Sequence, residues 1–260
     1  RGLSRLPIKH LTLNGDNLGS SDLSILSSLS LTSLKVSHME PPESFRDMPI
    51  ETLEIAETDL SKTNLAIFKN LKKLVLYRGT IDIDTIADLK IHTLDLHNVA
   101  CSNVSSIARL PLKKLILSSM YIIPIADLSM NLDELHLRDI RSDSPIQLTL
   151  LPNLKTLVIK TPSPNIKFDF TVLRQVTKFV MVDYKISMDE IVHLSTLPIT
   201  NLALKRCGVT DEMLLVLKSL NLQYCDLSEN KISGLGLSNF RHMKLRELKC
   251  PPVSICQILK

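Results

Sequence analysis

The stretch Leu112-Lys-Lys-Leu115-Ile-Leu117 is followed twenty residues later by Leu132-Asp-Glu-Leu135-His-Leu137. Twenty-two residues further comes Leu154-Lys-Thr-Leu157-Val-Ile159. Earlier copies stand at Ile8-x-x-Leu11-x-Leu13 and Leu71-x-x-Leu74-x-Leu76. Within each copy the apolar residues alternate with period two, the mark of a strand with one face buried. So short a unit cannot bury a core of its own. The units must therefore stack, each covering the next.

Taking the second leucine of the frame as an anchor, twelve fall in phase: Leu11, Leu34, Leu53, Leu74, Leu94, Leu115, Leu135, Leu157, Phe179, Leu202, Cys225 and Leu248. Their spacing stays between 19 and 23 residues from end to end. Because the same strand returns once per coil, the strands lie parallel in a sheet along the stack. The dozen or so intervening residues return on the other side. Short phrases such as Met48-Pro-Ile50, Leu110-Pro-Leu112 and Leu197-Pro-Ile199 lead into strands, where proline's fixed φ and missing N–H do no harm. Repeats this short leave room on the far side only for short helices or single turns. These are expected at Asp22–Ser28, Asp82–Leu89, Ser102–Arg109, Asp189–Thr196 and Asp211–Leu217, with Asp, Ser or Thr near the starts as caps.

This pattern resembles the leucine-rich repeat family, whose frame is Leu-x-x-Leu-x-Leu-x-x-Asn-x-Leu. The cleanest copy is Leu222-Gln-Tyr-Cys225-Asp-Leu227-Ser-Glu-Asn230-Lys-Ile232. Another, Leu202-Ala-Leu204-Lys-Arg-Cys207-Gly-Val209, is similar to the variant with cysteine in the asparagine's place. The resemblance covers nearly the whole chain. It implies an α/β leucine-rich repeat solenoid of about twelve repeats, with a curved parallel sheet on the concave face and short helices or turns on the convex face. It also implies one domain over 1–260, its first repeat incomplete and residues 249–260 a C-terminal cap. In the family, the frame's asparagine bonds to the backbone of adjacent coils. Here that position holds Asp16, Met39, Thr58, Gly79, Val99, Met120, Ile140, Pro162, Tyr184, Cys207 and Asn230. Most of these cannot form such a ladder, so irregular turns are expected after the strands.

With 44% hydrophobic residues, 4% aromatics and no Trp, the core is expected to be aliphatic. The 31 basic and 27 acidic side chains nearly balance, so bulk charge does not point to nucleic acid. No apolar run is long enough to span a bilayer; the most apolar, Met120–Ala126, is broken by Pro124. Five cysteines, mostly one per repeat, favour an intracellular setting in cytoplasm or nucleus over a secreted one. A signal peptide preceding Arg1, or a Cys250–Cys256 bridge, would reverse that. The sequon Asn103-Val-Ser105 matters only in the secreted case.

In a parallel sheet the anchor and anchor+2 residues point inward, leaving anchor−1, +1, +3 and +4 on the open face. By this reading the partner-binding candidates are Tyr77, Arg78, His97, His136, Arg138, Lys160, Val180, Val182, Lys205 and Arg206. The anchor+1 column is apolar at Val75, Ile116, Val158, Val180 and Ala203. It reads either as plain β-propensity or as an apolar strip for a partner. The basic set Arg138, Lys160, Lys178, Lys205 and Arg206 is either solvated charge or a surface for an acidic partner or phosphate. Single-stranded nucleic acid needs stacking aromatics as well, and only Tyr77 is on offer. His97 and His136 lie too far apart for direct zinc ligation, and no metal or other cofactor is expected. Phosphate-loop, dinucleotide, His-Glu-x-x-His and nucleophile-elbow motifs are all missing from the sequence.

The expected function is thus a non-catalytic scaffold that binds a partner protein on its concave face; the sequence gives no oligomeric state. Narrower alternatives come from single repeats. The 22-residue type resembles the regulatory leucine-rich protein of protein phosphatase type 1, and the cysteine type resembles substrate receptors of ubiquitin ligases. A secreted or surface protein in adhesion or host contact is the remaining alternative.

Overall fold

All twelve anchors sit in short parallel strands, and anchors pair with anchors. A computed structural model describes residues 7–17, 23, 26–120, 131–141, 146, 148 and 151–252. The chain divides into two compact units, Arg1–Met120 and Tyr121–Lys260.

The first unit carries strands β1 (His10–Asn14), β2 (Ser33–Ser37), β3 (Thr52–Ala56), β4 (Asp59–Leu60), β5 (Lys73–Asp82), β6 (Thr93–Ser102) and β7 (Lys114–Ser118). They run in the order β1-β2-β3-β5-β6-β7, with β4 beside β5, and every pair is parallel. The register is the repeat itself: Leu11 faces Leu34, then Leu53, Leu74, Leu94 and Leu115 in turn. In the second unit, β8 (Glu134–Arg138), β9 (Thr156–Lys160), β10 (Lys178–Val182), β11 (Asn201–Lys205), β12 (Tyr224–Asp226) and β13 (Glu247–Lys249) pair in chain order. Their anchors align from Leu135 through Leu157, Phe179, Leu202 and Cys225 to Leu248.

Ten of the strands are also clamped where they begin. Two consecutive amides donate to one carbonyl of the previous coil: Glu51 and Thr52 to Thr32 at 2.8 and 3.1 Å, and Thr200 and Asn201 to Thr177 at 2.9 and 3.0 Å. The core beneath is aliphatic in the first unit apart from Phe45 and Phe68. The second unit departs from the expected aliphatic core. Phe168, Phe170, Phe179 and Tyr184 form a ring cluster with centroids 5.3 to 5.8 Å apart.

The return segments match four of the expected turns. A 3-10 helix covers Ile83–Thr85 and another Val104–Arg109. Helix α1 is Met188–Ser195 and α2 is Asp211–Leu217. Ser187 caps α1 through a reciprocal box with Glu190: the Glu190 amide donates to Ser187 Oγ at 3.2 Å, and the Ser187 amide donates to Glu190 Oε2 at 2.8 Å. A further short helix, α3 (Gly234–Leu237), follows Asn230. Residues 22, 24 and 25 of the expected Asp22–Ser28 helix, and residues 253–260 of the expected cap with Cys256, lie outside the described residues.

The turns after the strands are regular, contrary to expectation. The anchor+4 residue is left-handed in ten successive repeats, with φ between +45° and +60°: His38, Glu57, Arg78, Asn98 and Ser119 in the first unit, Asp139, Thr161, Asp183, Arg206 and Glu229 in the second. This conformation turns the anchor+4 amide toward the next coil. Glu57 donates to Tyr77 O at 2.8 Å, Asp139 to Lys160 O at 2.8 Å, and Thr161 to Val182 O at 2.9 Å. In the first unit the chain then resumes pairing, Gly79 to Val99 through Asp82 to Ser102. Backbone thus bonds to backbone where the family frame places an asparagine. Gly79 is required there, since a Cβ would run into the Thr58 carbonyl oxygen.

Asn230 alone keeps the family's side-chain role among the described residues. Its Oδ1 accepts from the amides of Cys207 at 2.9 Å and Val209 at 3.1 Å. Its Nδ2 donates to Leu204 O at 2.6 Å and Leu227 O at 2.8 Å. Cys207, one coil earlier, points its thiol at Met181 O, 3.3 Å away, the same relation as Asn230 to Leu204.

Candidate interaction face

Alternation along the strands places side chains on an outward face in each unit, and the register aligns them in rows. The anchor+1 column is not the open apolar strip that its composition suggested. Val75 is 1% exposed, and Ile116, Val158 and Ala203 are buried too; of the five only Val180 remains half-exposed. The cause is local. Neighbours one strand spacing away flank each side chain, Val75 between Glu54 and Asp95, and Val158 between His136 and Val180.

In the first unit the candidates Tyr77, Arg78 and His97 come together. Tyr77 and His97 stack with centroids 4.7 Å apart at 20°, and Lys35 Nζ lies 5.8 Å over the Tyr77 ring. His97 Nε2 is 2.8 Å from Oδ1 of the buried Asp95. Burial first, then the charges of Glu54 and Asp95, push the Tyr77 hydroxyl above its ordinary pKa of 10. Arg78 and His38 both reach Glu57, at 3.4 and 3.3 Å. A shallow depression of about 400 Å³ is lined by Glu57, Tyr77, Arg78, His97, Asn98 and Ser119. Glu57, Asn98 and Ser119 were not among the partner-binding candidates, but all three are anchor+4 positions, which the register reading puts on the open face.

In the second unit, His136 Nε2 is 3.4 Å from Glu134 Oε2, and Arg138 Nη2 is 3.5 Å from His136 Nδ1. Lys205 bonds to Glu229 at 2.8 Å. Arg206 bridges two coils, gripping Asp183 with Nε and with Nη2 at 3.0 Å, and Glu229 through Nη1 at 2.6 Å. These bonds hold the Asp183 and Glu229 carboxyls below the ordinary range and raise Arg206 further above its own. Two of the expected basic residues are thus already neutralised. Lys160 and Lys178, by contrast, are exposed and have no carboxylate within ion-pair distance among the described residues. Val180 and Val182 stand half-exposed near them on β10.

Reactive chemistry is scarce on both faces. Burial pushes the thiols of Cys101, Cys207 and Cys225 up to about 11, 12 and 12, leaving them protonated at neutral pH. Among the described residues, no group of three His, Cys, Asp or Glu side chains could hold a metal ion. No described helix is long and apolar enough to cross a membrane. The sequon's Asn103 donates to both carboxylate oxygens of Asp82, at 2.9 and 3.1 Å.

No protein-family model and no curated protein sequence matches the chain. Solved structures do. A chain of the mouse RP105/MD-1 complex superposes with TM-score 0.58 at 17% identity, covering 95% of this chain and 52% of that one. An internalin from Listeria monocytogenes gives 0.47 at 16% identity, covering 97% and 77%, and a TDR receptor gives 0.49 at 20%, covering 90% and 45%. The chain therefore spans about half the length of the first of these. At such identity the likeness is one of fold alone, and the mouse complex carries it.

Repeat frame, anchor-on-anchor register within each unit and that likeness together define the leucine-rich repeat fold, in short repeats of 19–23 residues.

Proposed function

We propose that the chain is a non-catalytic scaffold that binds a partner protein on its strand-bearing face. Leucine-rich repeat solenoids serve in general as protein-interaction scaffolds, which is a warrant of fold and not of site. The observation that carries the reading here is the surface of β9 and β10, where half-exposed Val180 and Val182 lie beside unpaired charge. That mixture of apolar centre and charged border suits a protein interface. The first-unit depression around Tyr77 and His97 offers a second contact of the same kind, with an aromatic pair framed by Arg78 and Asn98. Among the described residues Cys101, Cys207 and Cys225 are free thiols, the last two buried, which supports a reducing, intracellular compartment.

The test is affinity purification with the wild type and a Val180→Asp/Val182→Asp variant whose fold is checked by circular dichroism. The reading expects a protein retained by the wild type and lost by the folded variant. Retention of the same proteins by both would remove the strand face as the binding surface.

A further inference from the structure

Once its ion pairs are formed, the outward face of the second unit keeps positive charge on β8 to β10, at Arg138, Lys160 and Lys178. Lys205 is taken by Glu229, and Arg206 by Asp183 and Glu229. Lys160 and Lys178 remain exposed and uncompensated among the described residues. They sit on two adjacent strands. Lys160 pairs in register with Val182, and Lys178 lies four residues earlier on that same strand. Lys178, Val180 and Val182 share one face by alternation, so Val180 falls midway between the two cations.

Four residues of strand rise and one strand spacing put the lysine Cα atoms about 14 Å apart. That separation matches a peptide. In an extended segment, residues i, i+2 and i+4 point the same way and span about 13 Å.

We propose that this face takes an extended segment of the partner protein with the pattern acidic-x-aliphatic-x-acidic, its aliphatic side chain on Val180 and Val182 and its carboxylates toward Lys178 and Lys160. The inference rests on the proposed strand-face binding and adds the chemistry of the occupant. The face holds no outward aromatic between the two lysines on which a nucleobase could stack. Asp183, which follows β10, is held by Arg206, and Glu229 is held by Arg206 and Lys205.

The experiment is fluorescence anisotropy with the full chain and a labelled Ser-Glu-Ser-Leu-Ser-Glu-Ser peptide. Peptides with Gln or Lys replacing both Glu serve as comparison. Two exposed charge pairs predict about tenfold weaker binding of the Gln peptide. Lys160→Glu/Lys178→Glu should invert the order, so that the Lys peptide binds best. Both lysines are exposed, so this variant should fold; a Lys160→Gln/Lys178→Gln form, expected to bind all three peptides alike, gives an independent readout. Equal affinity of the wild type for Glu and Gln peptides overturns the acidic occupant. Competition by inorganic phosphate at the peptide's own concentration also overturns it, in favour of a simple anion site. So does self-association that the lysine substitutions abolish, which would make the occupant a second copy. Loss of every peptide on Val180→Asp/Val182→Asp, with the charge preference intact in the wild type, supports it. A failure confined to the Glu-against-Gln comparison leaves strand-face binding standing, because that is tested separately by the valine variant.

Discussion

Replacing Asn230 by Ala tests how much one side chain contributes when it alone bridges two coils. The change leaves the amides of Cys207 and Val209 without their acceptor, and the carbonyls of Leu204 and Leu227 without a donor. Asn230 is 7% exposed, so water reaches these groups poorly. Each orphaned buried group costs about 1–3 kcal/mol, and relaxation recovers part of the sum. A net loss of about 4 kcal/mol is expected, which for a chain of this size lowers the Tm by roughly 10 °C. Urea denaturation followed by circular dichroism gives the energy, and hydrogen exchange gives the place. Cys207 and Val209 amides should lose protection first, since repeat stacks open locally. Asn230→Asp separates the two halves of the bond set. It retains the acceptor for both amides but sets a carboxylate against the Leu204 and Leu227 carbonyls. Its stability should improve on acidification, because the protonated form alone can donate to them; Asn230→Ala should show no such gain. A loss under about 1 kcal/mol for Asn230→Ala, or unchanged protection at Cys207 and Val209, would refute the ladder role.

Three further outcomes follow from the turns. Gly79→Ala forces a methyl against the Thr58 carbonyl and should cost about 2–3 kcal/mol by denaturant titration; a neutral result would mean the coils can part there freely. Thr161, β-branched at φ +45°, is the least suited of the left-handed residues, so Thr161→Asn should stabilise by about 1 kcal/mol in the same assay, and a loss would show that its hydroxyl matters more than its φ. Asp59 is held at about 2, chiefly by the Thr80 hydroxyl and then by Ser61. Its folded pKa lies below the ordinary 3.8, so its contribution is complete above about 3.8 and disappears as the pH falls through 2. A carboxyl NMR titration should find that low midpoint, and Thr80→Val should return it toward 3.8; a wild-type midpoint already near 3.8 would remove the hydroxyl's role.

The strand positions were legible because burial requires a leucine at a fixed interval, and the anchor register of all ten described anchor-pair sets within the two units follows from that. The left-handed turns were not. Only His38, Asn98, Asp139 and Asp183 among them belong to types that favour φ > 0 locally; Glu57, Thr161 and Arg206 are held there with coil-to-coil hydrogen bonds from their amides. The expected irregularity came from looking for the missing asparagine when the backbone itself supplied the bonds. Of the outward candidates, Tyr77, Arg78 and His97 meet at one depression. Exposure was misjudged for Val75 and Ile116, because a column's burial depends on the size of its neighbours in other coils.

Charge obeys the same rule. In a helix or hairpin, a side chain's counter-ion is sought a few residues away, but here the partners lie one coil apart: Glu51 with Lys72, Glu57 with Arg78, Asp183 with Arg206, Arg206 with Glu229. A cluster such as Lys205-Arg206 therefore looks basic in the sequence while the folded face around it is neutral. Conversely, Lys160 and Lys178 look like scattered single charges, separated by eighteen positions with Asp169 between them. The register neighbours of Lys160 are Arg138 and Val182, those of Lys178 are Thr156 and Asn201, and Glu134 and Asp183 are otherwise engaged, so their charge survives folding. The basic surface available to a partner is what remains after subtraction at the repeat period. That subtraction moves the expected contact away from Lys205 and Arg206, whose reversal would first break the clasp between coils, and toward Lys160 and Lys178, whose reversal leaves every described ion pair in place.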